Sequence, residues 1–286
     1  MTSDVTVRLD RVQIVSSALP GDSPPKTLRG FKRTRDCFVR RQTTTSTYAR
    51  ARHYRSLANG TRIYWQYRRL KSWLMPWKVT IVSDDLSGLS RDEIERVLNY
   101  CRFHRLLLVE VAIDFSPSTG VNRRFIRSHA VFGKSHRDPR EGISDLYYGS
   151  RKSDKLVRCY EKPEVGAYRV ELELHSGFLG RNSISQLDDL VRIPVLVCPK
   201  HFQLVDLDWN QLRRHLEKKI GDRSDSIIAA AQRRTPSILR LKRYLRRKSI
   251  FNVHRFLVPR TINKDVSRAL NKWIRKFNEE PWAYTN

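Results

Sequence analysis

Cysteine is scarce in this 286-residue chain: Cys37, Cys101, Cys159 and Cys198 lie far apart, and none forms a C-x-x-C pair. That spacing argues against a disulfide scaffold and suits a reducing, cytoplasmic setting. Cys101 and His104 make a lone C-x-x-H with no second half, too little for structural zinc. Long apolar runs are missing as well. The longest candidate, Leu106 to Ile113, is interrupted by Glu110 and falls far short of the roughly 18 residues of a membrane span. The N-terminus lacks the basic-then-apolar order of a secretory leader. No HExxH metal motif and no G-x-x-x-x-G-K-[ST] phosphate loop occurs, so a zinc hydrolase or a self-contained ATPase is a poor reading.

Acidic residues are few, 29 against 56 Lys+Arg, which leaves a net charge of +27. Such an excess points to a polyanionic partner, nucleic acid before an anionic membrane surface. The charge is also segregated. Residues 26–80 carry 15 basic side chains against Asp36 alone, and residues 208–286 carry 20 against 7. Between them, residues 81–207 are nearly neutral, with 19 against 18. Two cationic flanks that grip phosphate around a middle with another task is the simplest reading, since phosphate contacts set affinity and register.

Pro20, Gly21, Pro24 and Pro25 predict a loosely ordered lead over 1–30. Thr61 to Tyr67, Trp77 to Val82, Leu106 to Phe115, Asp145 to Gly149, Lys155 to Lys162 and Tyr168 to His175 read as strands. The short Pro163 to Ala167 connection implies a hairpin between the last two. Ser90-Arg91-Asp92-Glu93 is a capping box before a helix, residues 121–132 read as helical, and Asp208 with Gln211 opens a largely helical stretch over 209–277. These elements predict an α+β fold. A mostly antiparallel sheet core with flanking helices spans 31–207, and a basic helical DNA-binding region spans 208–286.

Strand alternation sorts the middle into faces. Glu110, Ala112 and Asp114 oppose Val109, Val111 and Ile113; Arg158, Tyr160 and Lys162 oppose Val157 and Cys159; Arg169, Glu171, Glu173 and His175 oppose Val170, Leu172 and Leu174. With the apolar faces on a core, four carboxylates gather on one surface. They repel unless Arg and Lys or a divalent cation compensate, and hard oxygen ligands of this kind suit Mg²⁺ or Mn²⁺. Patterning alone leaves open whether the face holds an ion or is a solvated face laced with salt bridges. Tyr160 lies among these groups. A phenol is a poor nucleophile at neutral pH, but Lys162, Arg158 or a metal favours the phenolate. Attack on a phosphodiester leaves a phosphotyrosine link that can be reversed without ATP.

The run Tyr148-Gly149-Ser150-Arg151-Lys152-Ser153-Asp154, then Tyr160-Glu161-Lys162 and Arg169-Val170-Glu171-Leu172-Glu173, resembles the core motif of the Rep-trans type replication initiation factors. These are rolling-circle initiators of plasmids and phages, with related relaxases. Val109 to Asp114 resembles an upstream strand of the same family, with Glu110 in place of its first Asp. The resemblance covers about residues 105–178. It implies that Tyr160 is the nicking nucleophile and that Asp114 and Glu171, with Glu110 or Glu173, hold the metal. It further implies that Arg151, Lys152 and Lys162 meet phosphate or developing charge, and that the substrate is a double-stranded replication origin nicked at a single-stranded or hairpin site. As family members recruit a helicase and often work as dimers, a host helicase and a second copy in a homodimer are candidate partners. The absence of an H-x-H pair sets the chain apart from nickases with a histidine-bound metal. A non-cleaving DNA-binding regulator of the same fold and a conjugative relaxase stay open as alternatives.

In the flanks, residues 29–73 interleave Arg with Phe31, Phe38, Tyr48, Tyr54, Tyr64, Trp65, Tyr67 and Trp73, a mixture suited to phosphate contact and stacking on unpaired bases. Arg240, Lys242, Arg243, Arg246, Arg247 and Lys248 lie on a helix-compatible stretch, where they are expected, with Arg169 in the core, to bind DNA.

Overall fold

Val5, Val7, Leu9, Val12 and Ile14 recur with strand-like spacing, and in the computed structural model Val5–Ala18 forms the long strand β1 near the middle of a large sheet. The residues described are 4–18, 23–38, 47–83, 88–132, 140–150, 153–197, 202–234, 238–247 and 253–279. The expectation of a loose lead over 1–30 therefore fails for β1. The Pro and Gly cluster that suggested it follows this strand, and two adjacent polar residues, Asp10 and Arg11, hide its alternation.

A meander follows: β2 (Phe31–Phe38), β3 (Tyr48–Ser56), β4 (Arg62–Arg69) and β5 (Trp77–Val82). Then come α1 (Arg91–Leu98), β6 (Cys101–Phe115), α2 (Arg123–His129), β7 (Ala130–Val131), β8 (Arg140–Glu141), β9 (Leu146–Gly149), β10 (Lys155–Lys162) and β11 (Ala167–His175). Ten of these strands form one antiparallel sheet in the order β2-β3-β4-β5-β1-β6-β11-β10-β9-β8. The capping box of α1 is present, with Ser90 Oγ accepting from the Glu93 amide at 3.2 Å and Glu93 Oε2 accepting from the Ser90 amide at 3.1 Å. The β10–β11 hairpin turns through Pro163–Val165 and Gly166, whose φ of 59° lies in the left-handed region that glycine adopts without a Cβ clash.

The chain continues through α3 (Ser176–Arg181), α4 (Ile193–Val197), β12 (Gln203–Leu207), α5 (Trp209–Ile220), α6 (Arg223–Arg234), α7 (Ile238–Arg247), β13 (Leu257–Pro259) and α8 (Ile262–Glu279). β13, β12 and β7 make a small second sheet. The fold is α+β, as expected.

One face of the large sheet supplies the main core, with Leu9, Val12, Ile63, Trp65, Val79, Ile81, Val111, Ile113, Cys159, Val170 and Leu172 buried there. Leu212, Leu216, Ile228, Leu241 and Leu245 of α5, α6 and α7 close a second cluster over β7 and β12. In α8, by contrast, Val266, Leu270, Ile274 and Phe277 join the main core. The described helices after residue 208 thus divide between two cores. Among the described residues no helix is long and apolar enough to cross a membrane.

Candidate active site

The polar face of β6, β11 and β10 forms as the alternation requires. Antiparallel register sets Asp114 opposite Arg169 and Glu110 opposite Glu173, then Glu171 opposite Arg158 and Arg169 opposite Tyr160. β1 adds a further set of groups. Its pairing with β6 slips between Leu9 and Arg11, so Asp10 is the extra residue of a β-bulge and Arg11 pairs with Glu110. A bulge re-aims side chains. Here it brings Asp10 and Arg11 to the ionisable face while Leu9 and Val12 stay in the core.

The result is a buried charge network. Arg169 is 0% exposed, Glu110 and Glu171 1%, Asp114 3% and Asp10 8%, which excludes the solvated salt-bridge face. Arg169 donates to Asp114 through Nε at 2.7 Å and Nη2 at 3.1 Å, and its Nη1 lies 3.6 Å from Asp10 and 3.9 Å from Glu171. Arg8 pairs with Asp114 at 2.6 Å, Arg11 with Glu110, and Arg158 Nε donates to Glu171 at 2.8 Å. Ser83 Oγ donates to Asp10 at 2.8 Å.

Tyr160 is half-buried at the edge of this network. Its hydroxyl donates to Glu171 Oε1, and the guanidinium of Arg158 sits 4.6 Å from the ring centroid. Lys162 Nζ lies 6.0 Å from the same centroid and 3.8 Å from Glu164. The expected bias toward phenolate is not what the geometry produces. Burial first, and the Glu171 carboxylate second, push the Tyr160 phenol above its ordinary value, and together they outweigh Arg158 and Arg169. A nucleophilic Tyr160 must therefore lose its proton as it attacks, and Glu171 Oε1 is in place to receive it.

One oxygen each of Asp10, Glu110 and Glu171 lie within 4.8 Å of one another. Around an octahedral ion with bonds of about 2.1 Å, cis oxygens are roughly 3 Å apart and trans oxygens about 4.2 Å. The chemistry of the three, hard and anionic, fits Mg²⁺ or Mn²⁺. The acids that converge, Asp10, Glu110 and Glu171, overlap the expected Asp114, Glu171, Glu110 and Glu173 only in Glu110 and Glu171. Asp114 is occupied by two arginines, and Glu173, partly exposed, contacts His175 at 3.3 Å. Asp10, Arg8 and Arg11 were not foreseen. The signal was the phase slip in Val7-Arg8-Leu9-Asp10-Arg11-Val12, legible only once Val5 to Ile14 is taken as a strand.

Burial pushes Glu110 up to about 8, reinforced by Glu171, and raises Glu171 too, with Arg158 opposing. Between the ordinary carboxylate range and about 8 the native state then binds more protons than the unfolded chain. Without divalent ions, stability should therefore fall as pH rises through that window. Thermal melts in EDTA from pH 6 to 9 should show a falling Tm, and Glu110→Gln should flatten the slope. An unchanged slope in that variant would assign the effect elsewhere.

The remaining expected residues separate clearly. Arg169 is enclosed by carboxylates and presents no surface to solvent. Lys242 is 3% exposed in the second core, where burial and then Arg246 pull its ammonium down to about 8. It is therefore withdrawn from phosphate, whereas Arg240, Arg243, Arg246 and Arg247 are exposed on α7. Arg151, Lys152 and Lys248 lie outside the described residues, as does the side chain of Phe38. Of the interleaved aromatics, Phe31, Tyr48, Tyr54, Trp65 and Tyr67 are core residues, with Trp65 packed edge-on to Trp77 at 5.2 Å. Only Tyr64 and Trp73 keep substantial exposure.

No family model and no curated protein matches the chain. Among solved structures, a rolling circle replication initiator protein from Geobacillus stearothermophilus is similar at 16% identity and a TM-score of 0.39, over 71% of this chain and 87% of that one. A backbone match that loose transfers no function.

Proposed function

We propose that the protein is a tyrosine-type DNA strand transferase that nicks a replication origin to start rolling-circle replication of a plasmid or phage. The observation that carries this reading is the Tyr160 hydroxyl bonded to Glu171 at the rim of a buried three-carboxylate cluster. The sequence resemblance across 148–174 and the net charge of +27 support it.

In the proposed reaction, a DNA phosphodiester lies over β10 and β11, with Lys162 and Arg158 beside its non-bridging oxygens. Tyr160 Oη bonds to phosphorus while its proton passes to Glu171 Oε1. The phosphorus–oxygen bond to one deoxyribose breaks, and that sugar leaves as a hydroxyl after taking a proton. One ester replaces another, so rejoining runs the same steps backward with no external energy. Asp10, Glu110 and Glu171 would hold a Mg²⁺ or Mn²⁺ ion, which supplies Lewis-acid polarisation of the phosphate and a counter-charge for the acids. Arg169, through Asp114, keeps β11 in register with β6 and so fixes where Glu171 meets Tyr160.

One observation favours a second reading. Arg8, Arg11, Arg158 and Arg169 already give Asp10, Asp114, Glu110 and Glu171 four counter-charges, as a non-cleaving DNA-binding regulator would need. Incubating the protein with supercoiled origin DNA and Mg²⁺ or Mn²⁺, then denaturing in detergent, separates the two. The strand-transferase reading expects nicked circles carrying covalent protein. Tight, salt-sensitive binding with no adduct at any metal concentration would leave only the regulator.

A further inference from the structure

The ionisable face of the sheet does not stop at the carboxylates. Register carries it across the other half of the sheet. Glu110 of β6 pairs with Arg11 of β1, Arg11 with Val82 of β5, Val82 with Arg62 of β4, Arg62 with Arg55 of β3, and Arg55 with Lys32 of β2. Directly paired residues share a face. The neighbours of this row confirm which face it is, since Val12, Ile81, Ile63, Tyr54 and Phe31, each one residue away, are all buried in the main core.

Lys32, Arg55 and Arg62 are exposed. A cationic row thus runs perpendicular to the strands from the carboxylate cluster to the far edge of the sheet. Four strand spacings of about 4.8 Å make it roughly 19 Å long. The adjacent row, two residues along the strands, holds Thr80, Tyr64 and His53. Tyr64 and His53 are half-exposed and meet edge-to-face at 4.9 Å.

We infer that this double row is a track for single-stranded DNA, with backbone phosphates on Lys32, Arg55 and Arg62 and bases against Tyr64. The inference rests on the strand-transfer reading above and gives it a direction. The strand enters or leaves the Tyr160 site by crossing β1, β5, β4, β3 and β2 in turn. Two features select a single strand over a duplex. The cations form one line with an aromatic line beside it at about 6.8 Å, the spacing of two strand residues. The flat surface also lets unpaired bases lie against Tyr64, whereas paired bases keep their faces stacked on one another.

The test is binding of fluorescein-labelled oligodeoxythymidylates of graded length, followed by anisotropy in EDTA over a salt series. The variants are Lys32→Gln/Arg55→Gln/Arg62→Gln, Tyr64→Leu and a charge-matched control, Arg240→Gln/Arg243→Gln/Arg247→Gln. For the track triple, loss of three phosphate contacts should lower the slope of log K against log salt by about 2. The affinity gained by lengthening the oligonucleotide should also disappear. Tyr64→Leu should weaken binding roughly tenfold with little change in slope. The α7 triple should leave the gain with oligonucleotide length intact, whatever its effect on the slope. An unchanged slope in the track triple, or a length gain that survives it, overturns the track. So does a loss seen only when the oligodeoxythymidylate is paired with its oligodeoxyadenylate complement. Because no cleavage occurs in EDTA, the track can fail while adduct formation stands, and adduct formation can fail while the track stands.

Discussion

Tyr160→Phe should form no covalent DNA adduct, with single-turnover nicking reduced on the order of 10⁴-fold or more, the scale on which removal of a nucleophile acts. The substitution removes one oxygen from a half-buried ring. Arg158 stays bonded to Glu171, so no buried carboxylate is left without a donor, and the loss of one hydrogen bond should cost about 1 kcal/mol of stability. Thermal melting and the affinity for origin DNA should therefore be close to wild type while chemistry vanishes. Glu171→Gln should also cut the rate, because it removes the acceptor of the Tyr160 proton. The gap from wild type should be widest at high pH and narrow as pH falls, because Glu171, raised by burial, then becomes protonated in wild type and accepts no better than Gln. A detergent-resistant adduct of wild-type yield from Tyr160→Phe would assign the nucleophile to another group.

Arg169→Leu should destabilise the protein by about 3–5 kcal/mol, the cost of leaving a buried charge without its partner. At about 2–4 °C per kcal/mol for a chain of this size class, Tm should drop by roughly 6–20 °C. Arg169 is wholly buried and bridges strands that the chain joins only through distant loops, β11 to β6 through Asp114 and on to Asp10 of β1. Lysine should not rescue it. The bond to Asp114 is a two-pronged fork, Nε and Nη2 on two carboxylate oxygens, which an ammonium does not reproduce. Arg169→Met/Asp114→Asn should recover part of the loss, since the uncompensated acid is removed with its partner. Melts of wild type, Arg169→Met, Asp114→Asn and the double variant give the coupling directly. A single variant as stable as wild type would mean that Arg8 alone satisfies Asp114.

The parts of the site that were legible in the sequence are those where strand alternation runs unbroken. Glu110 and Asp114, Arg158 and Tyr160, and Arg169 and Glu171 alternate with Val, Ile, Leu and Cys without interruption, so their common face followed from period two alone. Asp10 did not, because a bulge breaks the period at the residue that matters. A sequence with two polar residues between Leu9 and Val12 reads as a loop until its partner strand is known. Burial was equally hidden. Alternation separates polar from apolar, but it does not say that arginines of a fourth strand will cover the polar side, and that cover turns a candidate salt-bridge face into a closed network. Trp65, Tyr54 and Lys242 failed for the converse reason. Composition placed them in basic, aromatic stretches, while their positions along β4, β3 and α7 put them on the inward side.

The packing of α8 on the β1 side of the main core constrains how the protein can be made. β1 leaves the ribosome long before residues 262–279 are translated, so nascent Val5, Leu9 and Val12 wait without the helix that shares their core. A chain stalled before Ile262 holds a complete set of strands without the helix that covers them, leaving apolar surface open to chaperones and proteases. Translation of α8, rather than formation of the Tyr160 region, is then the step that closes the main core.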